Sequence, residues 1–232
     1  MEKHLHHEEH MQSSALLRDI VIGMSDGLTV PFALAAGLSG AGAISSIVVI
    51  AGIAEIAAGS IAMGLGGYLA GKTEQDHYES ELKREYEEVE RVPEIEKQEV
   101  KEFFQQIGLS EEVQQKATEE ISKDKKRWVD FMMKYELDLD PPDPRRARNS
   151  ALNIGVSYVV GGIIPLSPYF FIHNSSEALK ISIVVTLICL FIFGFFKCRM
   201  TGVNAAWGAV KVVFIGAAAA AAAYGVAMVI RP

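Results

Sequence analysis

The sequence predicts an all-α integral membrane protein with five transmembrane helices and a cytosolic helical insert between the second and the third. Charge partition is the first reason. Of 29 acidic residues, 22 fall between Gly71 and Arg148, whereas the 51 residues from Ile20 to Ala70 carry two charges, Asp26 and Glu55. The second is that the chain turns apolar again from Asn149 to Pro232. The third is length: each apolar block holds more than one helix of the about 20 residues that cross a hydrocarbon core.

In chain order, the spans are expected at roughly 19–40, 44–70, 150–172, 178–197 and 204–230. Gly37, Gly40 and Gly42 mark the first turn, His173 to Glu177 the third-to-fourth turn, and Lys197 to Asn204 the last. Gly64, Gly66, Gly67 and Gly71 are expected to end the second helix with a smooth face. The domains are then an N-terminal cytosolic tail (1–18), helices 1–2 (19–71), a cytosolic helical metal-binding domain (72–148) and helices 3–5 (149–232). Arg18, Lys72, Arg145, Arg146, Arg148, Lys197 and Arg199 fall on one side of these spans, and Lys180 and Arg231 on the other. Cytosolic loops carry the excess of Lys and Arg. The N-terminus and the insert are therefore expected in the cytosol and the C-terminus across the membrane.

A net charge of −7 excludes a nucleic-acid partner, which needs a basic footprint. Cys189 and Cys198 lie in or beside an apolar run and are read as free thiols. No cleavable signal peptide is expected, because Met1 to Gln12 is polar and His-rich. The cluster His4, His6, His7 and His10 is read as a disordered tail, with weak metal binding as the alternative.

Asp26 and Glu55 need explaining, because a carboxylate at the centre of a membrane helix costs about 2.5–3.5 kcal/mol on insertion scales. If the first turn centres near residues 42–43, Asp26 stands level with Gly59. Glu55 is then one turn toward the far side and Met63 one turn toward the cytosol. The three residues are candidates to line one axial path. Carboxylates with a thioether suit a borderline-soft divalent ion that must bind and then leave; the alternatives are a structural hydrogen bond for the acids and packing for Met63. Gly23 and Gly27 allow close helix approach. Pro31 frees a carbonyl at membrane depth or serves as a packing kink.

The insert reads as four helices: His77 to Arg91, Glu94 to Ile107, one capped by Ser110, and about Asp124 to Leu137. Two Glu-x-x-Glu pairs, Glu85 with Glu88 and Glu96 with Glu99, each share a helix face. Met132 and Met133 precede Glu136 by about a turn, giving a mixed sulfur and oxygen face. Together they are candidates for a multi-metal carboxylate site, with solvated acidic helices as the alternative. A ferritin-like di-iron centre needs two Glu-x-x-His motifs, and the insert has only Glu74-x-x-His77.

These residues carry a family resemblance. Asp19 to Gly40 (DIVIGMSDGLTVPFALAAGLSG) and Ala51 to Ala70 (AGIAEIAAGSIAMGLGGYLA) resemble the first two helices of the vacuolar iron transporter family. Gly161 to Tyr169 (GGIIPLSPY) resembles its third helix, and Trp128 to Glu136 (WVDFMMKYE) its insert. The likeness runs from Arg18 onward and is nearest to the plant members. It implies a multi-pass protein of the vacuole membrane that moves Fe2+ from cytosol to vacuole in exchange for protons, for storage and detoxification. Zn2+, Co2+ and Mn2+ are alternative ions, with no permanently bound cofactor and the C-terminus in the lumen. It also implies a homodimer, in contact with lipid, whose ion path runs between subunits past Asp26 and Met63. Finally, it implies a metal-binding insert built on Glu85, Glu88, Glu96, Glu99, Met132, Met133 and Glu136. Two other readings are a membrane-anchored metal buffer or sensor and a passive divalent-metal channel. An enzyme is not expected, since no nucleophile–base pair, phosphate loop or zinc motif is present.

Overall fold

The computed structural model describes residues 15–230. The N-terminal histidines and Arg231 lie outside them. Among the described residues the chain is all-helical, in the order α1 (Ala15–Gly40), α2 (Ser45–Arg91), α3 (Pro93–Gln106), α4 (Glu111–Ser122), α5 (Lys125–Tyr135), α6 (Arg146–Phe171), α7 (Ser175–Met200) and α8 (Ala205–Ile230). Helices α1, α2, α6, α7 and α8 are long and apolar enough to cross a membrane. The chain forms two compact units, residues 69–146 and the remainder.

The end of the second span differs from expectation. One 47-residue helix, α2, runs through Gly64, Gly66, Gly67 and Gly71 and includes the first insert helix. Each glycine weakens a helix by about 1 kcal/mol, but no proline stops this one before Pro93. Beyond the glycines, pairs one turn apart support it: Lys72 with Asp76 at 2.8 Å and Arg84 with Glu88 at 3.3 Å. At 1.5 Å per residue α2 measures about 70 Å, more than twice a hydrocarbon core.

In the membrane unit, α6 packs against both α1 and α2. A Cβ on Gly27 would lie 2.3 Å from the Tyr158 carbonyl oxygen, and one on Gly59 would lie 2.5 Å from the Tyr158 hydroxyl. At Gly27 the two backbones approach so closely that only glycine fits, and at Gly59 the missing side chain leaves room for the tyrosine ring. Gly23 meets the Ile154 backbone and Gly67 the end of the Ile154 side chain. Pro31 is packed, since a Cβ on Gly162 would lie 3.2 Å from its ring, and α1 continues through it unbroken. Pro168 lacks the N–H that would bond the Ile164 carbonyl, and the Ser167 hydroxyl donates to that carbonyl at 2.7 Å. The core is built from Phe32, Ala35, Val48, Ile56, Leu166 and Tyr169. Leucine, isoleucine, valine and phenylalanine side chains cover the outward faces, including those of α7 and α8, as a lipid-facing surface requires.

The 69–146 unit has its own core of Val89, Val100, Phe104, Trp128, Val129, Met132 and Met133. Pro93 opens α3, and Asp124 caps α5 by accepting from the Arg127 N–H at 2.7 Å. Ser110 occupies the cap position of α4 without a side-chain cap bond. Gly108 takes the left-handed conformation (φ 84°) between α3 and α4.

Candidate functional site

In the membrane unit one tyrosine lies where the helices bearing Asp26 and Glu55 meet α6. The Tyr158 hydroxyl, on α6, donates to Glu55 Oε1, while Glu55 Oε2 is buried without a partner. Asp26 immediately precedes Gly27, which abuts the Tyr158 backbone, and no hydrogen bond or ion pair engages the Asp26 carboxylate among the described residues. Gly27 abuts the Tyr158 backbone and Gly59 the tip of its ring, so one residue of α6 reaches both helices that carry the acids. Met63 follows Gly59 by about one turn and is half-buried. Glu55 also opens on a groove of about 930 Å³ bordered by Val30, Ala33 and Gly37 of α1 and Ala219, Ala223 and Val226 of α8.

Sequence reading missed two residues here. Tyr158 carried no signal, because a tyrosine in an apolar helix looks like packing. Asp19 was left out because the uncharged block was counted from Ile20, yet α1 begins at Ala15. Asp19 is fully buried and accepts from the Ser150 hydroxyl at 3.1 Å. Its spacing to Gly23 and Gly27 puts it on the face that meets α6, so it fixes helix packing.

In the other unit the helix faces gather five carboxylates. Glu85 and Glu88 come from α2, Glu96 and Glu99 from α3, and Glu136 from the C-terminal cap of α5. Glu85 is pushed up to about 7 by desolvation, then by the Glu136 and Glu88 charges, against the lowering effect of Arg84. Glu96 reaches about 7 by desolvation and by the charges of Glu99, Glu85 and Glu88. Glu136, though more exposed, reaches about 7 through partial desolvation and the charges of Glu99 and Glu96. Glu99 is raised by desolvation, then by Glu88 and Glu102. Glu96 and Glu99 act on each other directly, raising Glu96 and offsetting part of the rise of Glu99. Like charges held together out of water are a standing electrostatic cost, relieved by protons or by a cation.

The thioethers are placed differently. Met132 (1% exposed) and Met133 (2%) are core residues. Met132 also lines a polar pocket of about 330 Å³ with Glu99, Glu102, Glu136 and Tyr135, whereas Met133 does not. Among the described residues, no three Asp, Glu, His or Cys side chains already stand in a metal-holding arrangement. The five acids are neighbours that an ion would have to draw inward.

The sequence pattern of the VIT family matches residues 17–228, nearly the whole chain. The chain belongs to the VIT family. Among VIT relatives, Vacuolar iron transporter 1 of Tulipa gesneriana is 52% identical over 97% of this chain and 92% of its own length. Vacuolar iron transporter 1 of Arabidopsis thaliana is 52% identical over 97% of this chain and 90% of its own length. Protein CCC1 of Saccharomyces cerevisiae is more distant, at 37% identity over 90% of this chain and 67% of its own length. The tulip and Arabidopsis relatives are named as transporters, not as enzymes.

Proposed function

We propose that this VIT-family chain carries Fe2+ from the cytosol into the vacuole in exchange for protons. Relatives at about half identity along nearly their whole length are named vacuolar iron transporters, which supports the ion and the compartment. The observation that carries the mechanism is that two helices bearing membrane-embedded carboxylates meet at Tyr158: Glu55 accepts from its hydroxyl, and Asp26 adjoins Gly27, which abuts its backbone. Such groups are costly in a membrane helix and mark ion or proton pathways. Met63 supplies a thioether acceptable to a borderline-soft ion. Metal and proton compete for the same oxygens, so loading one releases the other. The 72–148 domain lies in the cytosol and collects the ion on Glu85, Glu88, Glu96, Glu99 and Glu136, with Met132 at the pocket wall. Zn2+, Co2+ and Mn2+ fit the same oxygen-rich set. The protein works as a homodimer, a reading supported by the small-residue groove between α1 and α8.

The test is Fe2+ flux into sealed proteoliposomes by wild type and by Asp26→Ala. The proposal expects wild-type uptake and at least a tenfold loss in the variant, with metal binding by the insert retained. Equal uptake by the variant would remove Asp26 from the path. Binding without flux in the wild type would make the protein a metal buffer.

A further inference from the structure

Within the acidic cluster one residue carries the opposite charge. The Arg84 guanidinium stands 3.0 Å from Glu81 Oε2, 3.3 Å from Glu88 Oε2 and 3.9 Å from Glu85 Oε1. It therefore pairs with Glu88 and lies within ion-pair distance of Glu85, the two members of the first Glu-x-x-Glu pair. Glu85 is the buried member, its side chain 3% exposed, and its second oxygen Oε2 is buried with no hydrogen-bond partner. An unsatisfied carboxylate oxygen among other acids points to a cation absent from the resting arrangement. Arg84 has half of its side chain in solvent (52%), and among the described residues its ion pairs all lie within α2. It can swing away without disturbing the core.

We infer that Arg84 is the resident counter-cation of the Glu85–Glu88 pair, which an incoming divalent ion must displace, and that it sets how tightly and for how long the insert holds its metal. The inference rests on the proposed metal-binding role of the insert. Guanidinium stays charged and presents a rigid fork of donors, so it orders the two carboxylates before metal arrives. Exposed ion pairs are worth little, so displacing it is easy. The charge remains nearby afterwards and repels the bound ion. A transporter needs capture followed by release, and an all-carboxylate site without an internal cation would hold the ion longer. A divalent ion and a guanidinium about 6 Å apart in a water-like dielectric repel by an amount that corresponds to about tenfold in affinity.

The experiment uses the full-length protein in detergent micelles, titrated with Zn2+ and, without oxygen, with Fe2+. Affinity is read by calorimetry and release by stopped-flow chelation, for wild type, Arg84→Gln, Arg84→Lys and Glu85→Gln. The expected result is about tenfold tighter binding and slower release for Arg84→Gln, near-wild-type values for Arg84→Lys, and weaker binding for Glu85→Gln. The Arg84→Gln effect should shrink in high salt, where screening weakens the repulsion. Wild-type binding that Glu85→Gln weakens but Arg84→Gln leaves unchanged or weakens would overturn this inference alone. No metal binding by wild type, or none sensitive to Glu85→Gln, would overturn the insert's proposed role and the inference with it.

Discussion

Replacing Glu85 with glutamine should stabilise the metal-free insert, although the substitution removes a charge that contacts Arg84. The Glu85 carboxyl is held at about 7 against an ordinary 4.5. A folded-state value above the unfolded one means that the native state binds more protons between those two pH values. Stability therefore falls as pH rises from about 4.5 through 7. At 1.36 kcal/mol per pKa unit, full ionisation costs roughly 3 kcal/mol as an upper limit. A buried, partly unpaired amide returns some of this as a cost of about 1–2 kcal/mol, leaving a net gain of roughly 1–2 kcal/mol at pH 8. Trp128 sits in the insert core at 5% exposure, whereas Trp207 lies exposed on α8. Urea unfolding followed by Trp128 fluorescence in a Trp207→Phe background therefore reports on the insert. The gain should vanish near pH 5 and reverse below it, where the native carboxyl is protonated and only the cost of the amide remains. A destabilised variant at pH 8, or a difference that does not shrink toward pH 5, would refute the argument that burial and repulsion strain this carboxylate.

Other outcomes follow from the same geometry. Fe2+ or Zn2+ should raise the insert's unfolding temperature at pH 7.5, and this effect should fade below about pH 6, where protons occupy Glu85, Glu96 and Glu136. Thermal melts at the two pH values check it. Tyr158→Phe removes the donor to Glu55 without removing a carboxylate, and should slow Fe2+ uptake and alter its pH profile while leaving insert binding intact. Gly27→Ala places a methyl 2.3 Å from a backbone oxygen and should cost about 1–3 kcal/mol. Gly66→Ala, which meets nothing within 4 Å, should stabilise α2 by up to about 1 kcal/mol, and melting of the purified variants separates the two.

The membrane helices were legible because hydrocarbon thickness and charge exclusion leave few alternatives, and the separation of Asp26 and Glu55 from other charges was visible in the linear sequence. The 47-residue α2 was not legible, because four glycines look like a terminus until the pairs that follow them are seen to sustain the helix. Tyr158 was hidden, since its role depends on α6 lying against both α1 and α2. That relation of distant segments has no local sequence signal. In the insert, helical spacing identified the acids but not their mutual pressure or the buried state of Met132 and Met133. Arg84 looked like one more surface charge among many, and only the geometry shows that it bridges Glu81 and Glu88 beside Glu85.

The most direct test of the account is Fe2+ uptake by sealed liposomes holding the purified protein, with and without an acid interior, while external and internal pH are recorded. Uptake that rises with the gradient, with protons leaving as iron enters, is the predicted result. Uptake at the same rate whether or not the gradient is present would contradict proton exchange and make the protein a passive channel.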